Sequence, residues 1–187
     1  MKPQLTLDTF RGRGFDFHIN RGLSMFSVRD LLKYPEDYVF DFDVYLPTIG
    51  MNLQRPHVWT LRQRQELILS ILKELKIPNV TLIQVSEKDR SRTYQVIDGK
   101  QRLSAIIDFA NDRFPINVDG VDYLFSELST PCQREILGFW ITGDLGYEYH
   151  DAPISDAEKI RWFELINFAG TPQDAEHMAG LKKSINS

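Results

Sequence analysis

The sequence predicts an α+β domain, a small mixed sheet with surrounding helices. Two runs of β character, Val80–Ser86 and Thr93–Ile97, flank a charged stretch and read as antiparallel neighbours. Several other segments repeat apolar residues at the helical period, two of them behind capping boxes. Strands and helices interleave without strict β-α-β alternation, which excludes a doubly wound sheet.

The elements follow in order. Residues 1–24 are rich in Gly, Arg and Asn and show no apolar period, so they read as an arm. Residues 25–187 read as one domain. Ser27 caps a short helix, Val28–Lys33, that stops before Pro35. Val39–Leu46 alternates apolar and acidic positions and predicts a strand. Thr60-x-x-Gln63 opens a long helix with the stripe Leu67, Ile68, Ile71, Leu72 and Leu75, which Pro78 is expected to end. The strand pair comes next, joined by a charged turn over Glu87–Arg92. Asp98-Gly99-Lys100-Gln101-Arg102 then leads directly into a helix with the stripe Leu103, Ile106, Ile107 and Ala110. Asp119-Gly120 between two short β runs signals a hairpin. Thr130-Pro131 starts a helix to about Leu137, with Thr130 as its cap. Residues 138–153 predict a strand and a loop. Ser155-x-x-Glu158 caps a helix with Trp162, Leu165, Ile166 and Ala169 on one face and Gly170 as its stop. Thr171-Pro172 caps a last helix.

Composition narrows the function classes. The chain has 187 residues, 42% hydrophobic and 26% charged, the make-up of a folded globular protein. No apolar run approaches the ~20 residues of a membrane span, and the N-terminus lacks the apolar core of a signal peptide. No membrane partner is expected. Cys132 is the sole cysteine, which excludes an internal disulfide and a cysteine-rich zinc site and fits a reducing, cytoplasmic setting. A net charge of −4 excludes a general polycation, yet charge is unevenly spread. Residues 54–102 carry ten basic and five acidic side chains, whereas residues 111–187 carry six basic and thirteen acidic ones. A local cationic segment in an acidic chain points to a site for an anion or to a solvated helix face.

The most informative constellation is the turn from strand to helix at Asp98–Arg102. Gly99 lets the backbone turn sharply and approach a ligand closely. The helix start presents N–H groups and the positive end of the helix dipole, a seat for phosphate. Arg102 can fork onto two phosphate oxygens and Lys100 adds a second cation. Asp98 can hold Mg²⁺ or orient a water, and Gln101 can position that water or read a base. The alternative is a plain turn in which Asp98 caps the helix and Arg102 is solvated. A second constellation, Leu53 to Trp59, sets Arg55 beside Pro56 and an aromatic, either as an anion or base contact or as a loop with Trp59 in the core. A third holds Asn167 near a helix end and Glu176 beyond it, for a base contact or for ordinary capping.

Together these motifs resemble the N-terminal domain family of GmrSD-type modification-dependent restriction enzymes, within the ParB/sulfiredoxin-like superfamily. The family pattern Gln-Arg-Pro-Tyr-Val-Trp reads here Gln54-Arg55-Pro56-His57-Val58-Trp59. A Pro-Ile-Pro-like turn reads Lys76-Ile77-Pro78. Asp-Gly-Gln-Gln-Arg-Leu reads Asp98 through Leu103, and Asn-x-x-Gly-Thr-Pro-x-x-x-Glu reads Asn167 through Glu176. The resemblance spans residues 27 to 180. It implies a ParB/sulfiredoxin-like fold and a nucleoside triphosphate, of unspecified base, bound with Mg²⁺ and hydrolysed in defence against phage DNA. Carried over, Asp98 is the metal or water-orienting carboxylate. Gly99 and Lys100 seat phosphate, and Gln101 and Arg102 contact it in the catalytic role. Gln54 and Arg55 close the pocket, and Asn167 and Glu176 complete or brace it. The resemblance implies DNA, a separate nuclease or host defence protein, and self-association as partners.

Two departures are local: Lys100 replaces the family's first Gln and His57 replaces Tyr. The four histidines, His18, His57, His150 and His177, lack nuclease-like spacing, so no cutting domain is expected within these residues. Sulfiredoxin chemistry is excluded, because Cys132 lies thirty residues past Arg102 rather than in the turn. Two other functions remain open beside nucleotide hydrolysis. One is a DNA nickase built on the same fold, motivated by the basic stretch. The other is a non-enzymatic standalone phage or plasmid protein that binds DNA or a host defence complex.

Overall fold

The computed structural model describes residues 23–54, 58–88, 91–147 and 154–168. It shows a mixed α+β fold, as the sequence predicts. β1 (Leu23–Ser27) leads directly into α1 (Val28–Lys33), and Ser27 accepts the Asp30 N–H as its cap at 3.1 Å. β1 begins two residues inside the segment read as the arm; residues 1–22 lie outside the described residues. A 3₁₀ turn (Pro35–Asp37) precedes β2 (Tyr38–Asp41). β3 (Tyr45–Leu46) and β4 (Met51–Asn52) form a small hairpin. The remaining elements are α2 (Leu61–Leu72), β5 (Val80–Lys88), β6 (Ser91–Asp98), α3 (Lys100–Ala110), β7 (Ile116–Val118), β8 (Val121–Tyr123), α4 (Thr130–Gly138), β9 (Trp140–Tyr147) and α5 (Asp156–Phe168).

The main sheet has the order β1-β9-β5-β6-β2. β5 and β6 are antiparallel, as predicted, while β5 with β9 and β6 with β2 are parallel. Alternation along the central strands sends neighbours to opposite faces. Leu82 and Val96 enter a core with Phe26, Leu103, Ile106 and Phe109 under helices α1 to α4. Ile83 and Ile97 enter a second core with Val44, Leu46, Leu53, Trp162 and Phe163, under α5 and the β3–β4 hairpin. Gly146 of β9 is required by this second layer, because a Cβ there would lie 2.8 Å from the Trp162 ring. No helix of the described residues is long and apolar enough to cross a membrane.

Five sequence readings are corrected. Val39–Leu46 is not one strand: the Asp41 carboxylate accepts the Asp43 and Val44 N–H groups at 3.0 and 3.1 Å, turning the chain, and Val44 has φ +25°. α2 ends at Leu72, well before Pro78. Glu74 takes a left-handed φ of +57°, with its N–H on the Ile71 carbonyl and that of Leu75 on Ser70, so a Schellman closure stops the helix and leaves Leu75 exposed. The cap position of α4 falls on Ser129 rather than Thr130, with no side-chain capping bond and with Pro131 in the first turn. On α5, Leu165 is exposed, and the buried face is Lys159, Ile160, Trp162 and Phe163. Both capping boxes, Thr60–Gln63 and Ser155–Glu158, are formed. The Asp119-Gly120 turn has positive φ at both positions, the primed hairpin geometry. β5 and β6 extend to Lys88 and Ser91, into the segment read as a charged turn. Residues 89–90, Gly170 and the final helix lie outside the described residues.

Candidate functional site

The corner between β6 and α3 is built from the backbone first. Gly99 has φ +94° and serves as the α3 cap, with no side chain capping the helix start. A Cβ at Gly99 would lie 2.6 Å from Val80 Cγ1, so both the conformation and the space demand glycine. Asp98, the last residue of β6, is therefore not the cap. Its Oδ2 accepts Arg102 Nη2 at 2.7 Å across one helical turn.

The next three residues each fasten the helix start to a different segment. Lys100 is 5% exposed, and its Nζ donates to Asp43 Oδ1 at 2.7 Å, beyond the end of β2. Gln101 Oε1 accepts the Trp59 N–H at 3.3 Å, ahead of α2. Arg102 Nη2 donates also to the Asn79 carbonyl at 2.9 Å, ahead of β5. Arg102 is thus half-enclosed, not solvated. Its Nε is buried and has no hydrogen-bond partner among the described residues. A small hollow lined by Ile77, Pro78, Phe139 and Trp140 runs along this side chain. Gln54 Nε2 donates to the Val96 carbonyl, two residues before Asp98, which brings the end of the β3–β4 segment to the same strand end.

The other nominated residues are placed differently. Asn167 lies on α5, across the sheet from α3, and its amide donates to the Phe163 carbonyl of its own helix at 2.8 Å. Arg55, His57 and Glu176 lie outside the described residues. Asp43, Asn79 and Trp59 are contributors that sequence reading did not assign to the corner. Each is far from it in sequence; Trp59 stands in the Gln54–Trp59 motif, while no local pattern marks Asp43 or Asn79. Among the described residues no three His, Cys, Asp or Glu side chains converge as a metal cage. Cys132 is partly buried, with its Sγ beside Ser129 Oγ at 3.3 Å.

Residues 44–153, more than half of the chain, match the family described as GmrSD restriction endonuclease, N-terminal domain. The chain belongs to the GmrSD N-terminal domain family. The match runs from Val44 of the strained turn through Gln54, the Asp98–Arg102 corner and β9, so the corner is part of the family's common body. Membership in the GmrSD family makes the chain a component of a restriction-type defence system. No curated protein and no solved structure matches the chain.

Proposed function

We propose that this GmrSD-family chain binds a nucleoside triphosphate at the β6–α3 corner and hydrolyses it with Mg²⁺, as the nucleotide-dependent part of a restriction system. The observation that supports this reading most is the helix start itself. α3 begins at a left-handed glycine without a side-chain cap, flanked by a fixed guanidinium and a buried ammonium. Such a start stabilises phosphate oxygens through its N–H groups and dipole.

In this reading the side chains act mainly as fixed fittings around backbone donors. Arg102, held on both Asp98 and the Asn79 carbonyl, needs little reordering to present its remaining edge to an oxygen. Asp98 offers the carboxylate that meets Mg²⁺ or the attacking water, and a cation bound together with phosphates needs only one or two protein carboxylates. Mg²⁺, when bound, would neutralise charge on the phosphates. Gln101 and Gln54 hold the neighbouring segments against the strand end. Arg55, Asn167 and Glu176 enter the proposal on the family pattern alone. DNA, a separate nuclease or host defence protein, and a second copy of the chain are the partners this role would need. Of the ten basic side chains in the stretch that motivates the nickase alternative, Arg64, Lys100 and Arg102 each face an acid, Asp108, Asp43 and Asp98 respectively.

Calorimetric titration of the full chain with ATP, GTP, CTP and UTP in MgCl₂, together with phosphate release, tests the reading. Binding of at least one triphosphate, weakened at least about tenfold in Arg102→Ala by loss of a charge-assisted contact, is expected. Heat from none of the four overturns it.

A further inference from the structure

Lys100 sets an electrostatic problem at the corner. It is the first residue of α3, so its ammonium belongs to the end of the helix where the dipole is already positive. It is also almost fully buried, which raises the need for an anion beside it. Asp43 is the anion that the fold supplies, at 2.7 Å. The two partners differ sharply in exposure: the Lys100 side chain is 6% exposed and that of Asp43 is 73%. The ammonium is therefore fixed in place, while the carboxylate reaches it from solvent and can give way to another anion that takes its place.

Asp43 is held by its backbone rather than by its carboxylate. Its N–H is bound by Asp41 Oδ1, which also takes the N–H of Val44, a fully buried β-branched residue at φ +25°. Neither of those bonds uses the Asp43 carboxylate. We propose that Asp43 is an internal competitor for the anion that Lys100 recognises, so that a polyphosphate must displace the carboxylate to gain the buried ammonium. The inference rests on the reading of the corner as a phosphate seat and adds to it the residue that sets its affinity. A single carboxylate competes poorly with a polyphosphate of several charges, so the pair selects for highly charged ligands over monoanions.

The test is a double-mutant cycle on the full chain, titrated calorimetrically with inorganic tripolyphosphate and with the four nucleoside triphosphates. Asp43→Asn is expected to tighten tripolyphosphate binding about five- to tenfold at low salt, an advantage that shrinks as salt is raised. Lys100→Gln is expected to weaken binding and to abolish the gain from Asp43→Asn in the double variant. Asp43→Ser, uncharged at the same exposed position, gives the same readout should Asp43→Asn fail to fold. If the wild-type chain binds and the Asp43 variants bind equally or more weakly, Asp43 is a brace and the inference falls while the phosphate reading stands. A gain that survives Lys100→Gln also overturns the inference. If neither wild type nor the Asp43 variants bind any polyphosphate, both fall together.

Discussion

At the scale of single residues the corner depends on Gly99 more than on any charged side chain. Its φ of +94° excludes ordinary L-residues, and Val80 fills the space where a Cβ would go. Gly99→Ala is expected to destabilise the chain by about 2–5 kcal/mol, combining the left-handed backbone with overlap against Val80. Urea unfolding measures it; a loss below about 1 kcal/mol, less than the left-handed backbone alone costs an L-residue, would show that the corner relaxes. The glycine was legible in the sequence, since Asp-Gly between a strand and a helix calls for a sharp turn. The fate of its neighbours was not. Lys100, Gln101 and Arg102 read as ligands for an outside anion, yet each meets a protein partner, Asp43, Trp59 and Asn79, at least 23 positions away in sequence. Residue type announces a donor; only the folded chain decides which acceptor arrives first.

At the scale of elements, starts were more legible than stops. Both capping boxes formed because Ser or Thr and the residue three positions on satisfy each other locally. Helix ends followed a different rule from the proline-based one. α2 and α3 both close by the same double hydrogen-bond pattern, with an acidic residue in the left-handed position where glycine is usual: Glu74 after α2 and Asp112 after α3. The cost of that conformation is invisible to a search for Gly or Pro. Asp112 gains something in return, because its carboxylate accepts the Ser126 N–H at 2.9 Å. The Glu74 side chain makes no hydrogen bond to any of the described residues. Glu74→Gly is therefore expected to stabilise the chain by about 0.5–1 kcal/mol, the left-handed penalty less the added entropy of the unfolded glycine. In thermal melts this is a rise of about 1–4 °C for a chain of this size. A fall in melting temperature would mean that Glu74 makes a contact outweighing its backbone strain.

At the scale of the whole molecule, the fold class was legible and the sheet order was not. Period and capping depend on residues close in sequence, and they gave α+β. The parallel pairings of β2 with β6 and of β5 with β9 join segments tens of residues apart, and nothing in either strand names its neighbour. The sheet they complete is covered on both faces. Leu82 and Ile83 are adjacent in β5 and both fully buried, one beneath α1 to α4 and the other beneath α5. Because a single strand carries both cores, neither layer can open without exposing the strand the other one needs. Leu82→Ala and Ile83→Ala are each expected to cost about 2–5 kcal/mol. Both variants should keep one cooperative transition with the wild-type denaturant slope. If instead Ile83→Ala gave a biphasic or shallower transition while Leu82→Ala did not, the α5 layer would be a separate unfolding unit. The Lys100–Asp43 pair, which ties the start of α3 to the turn beneath that layer, would then couple the corner to a part of the molecule that opens on its own.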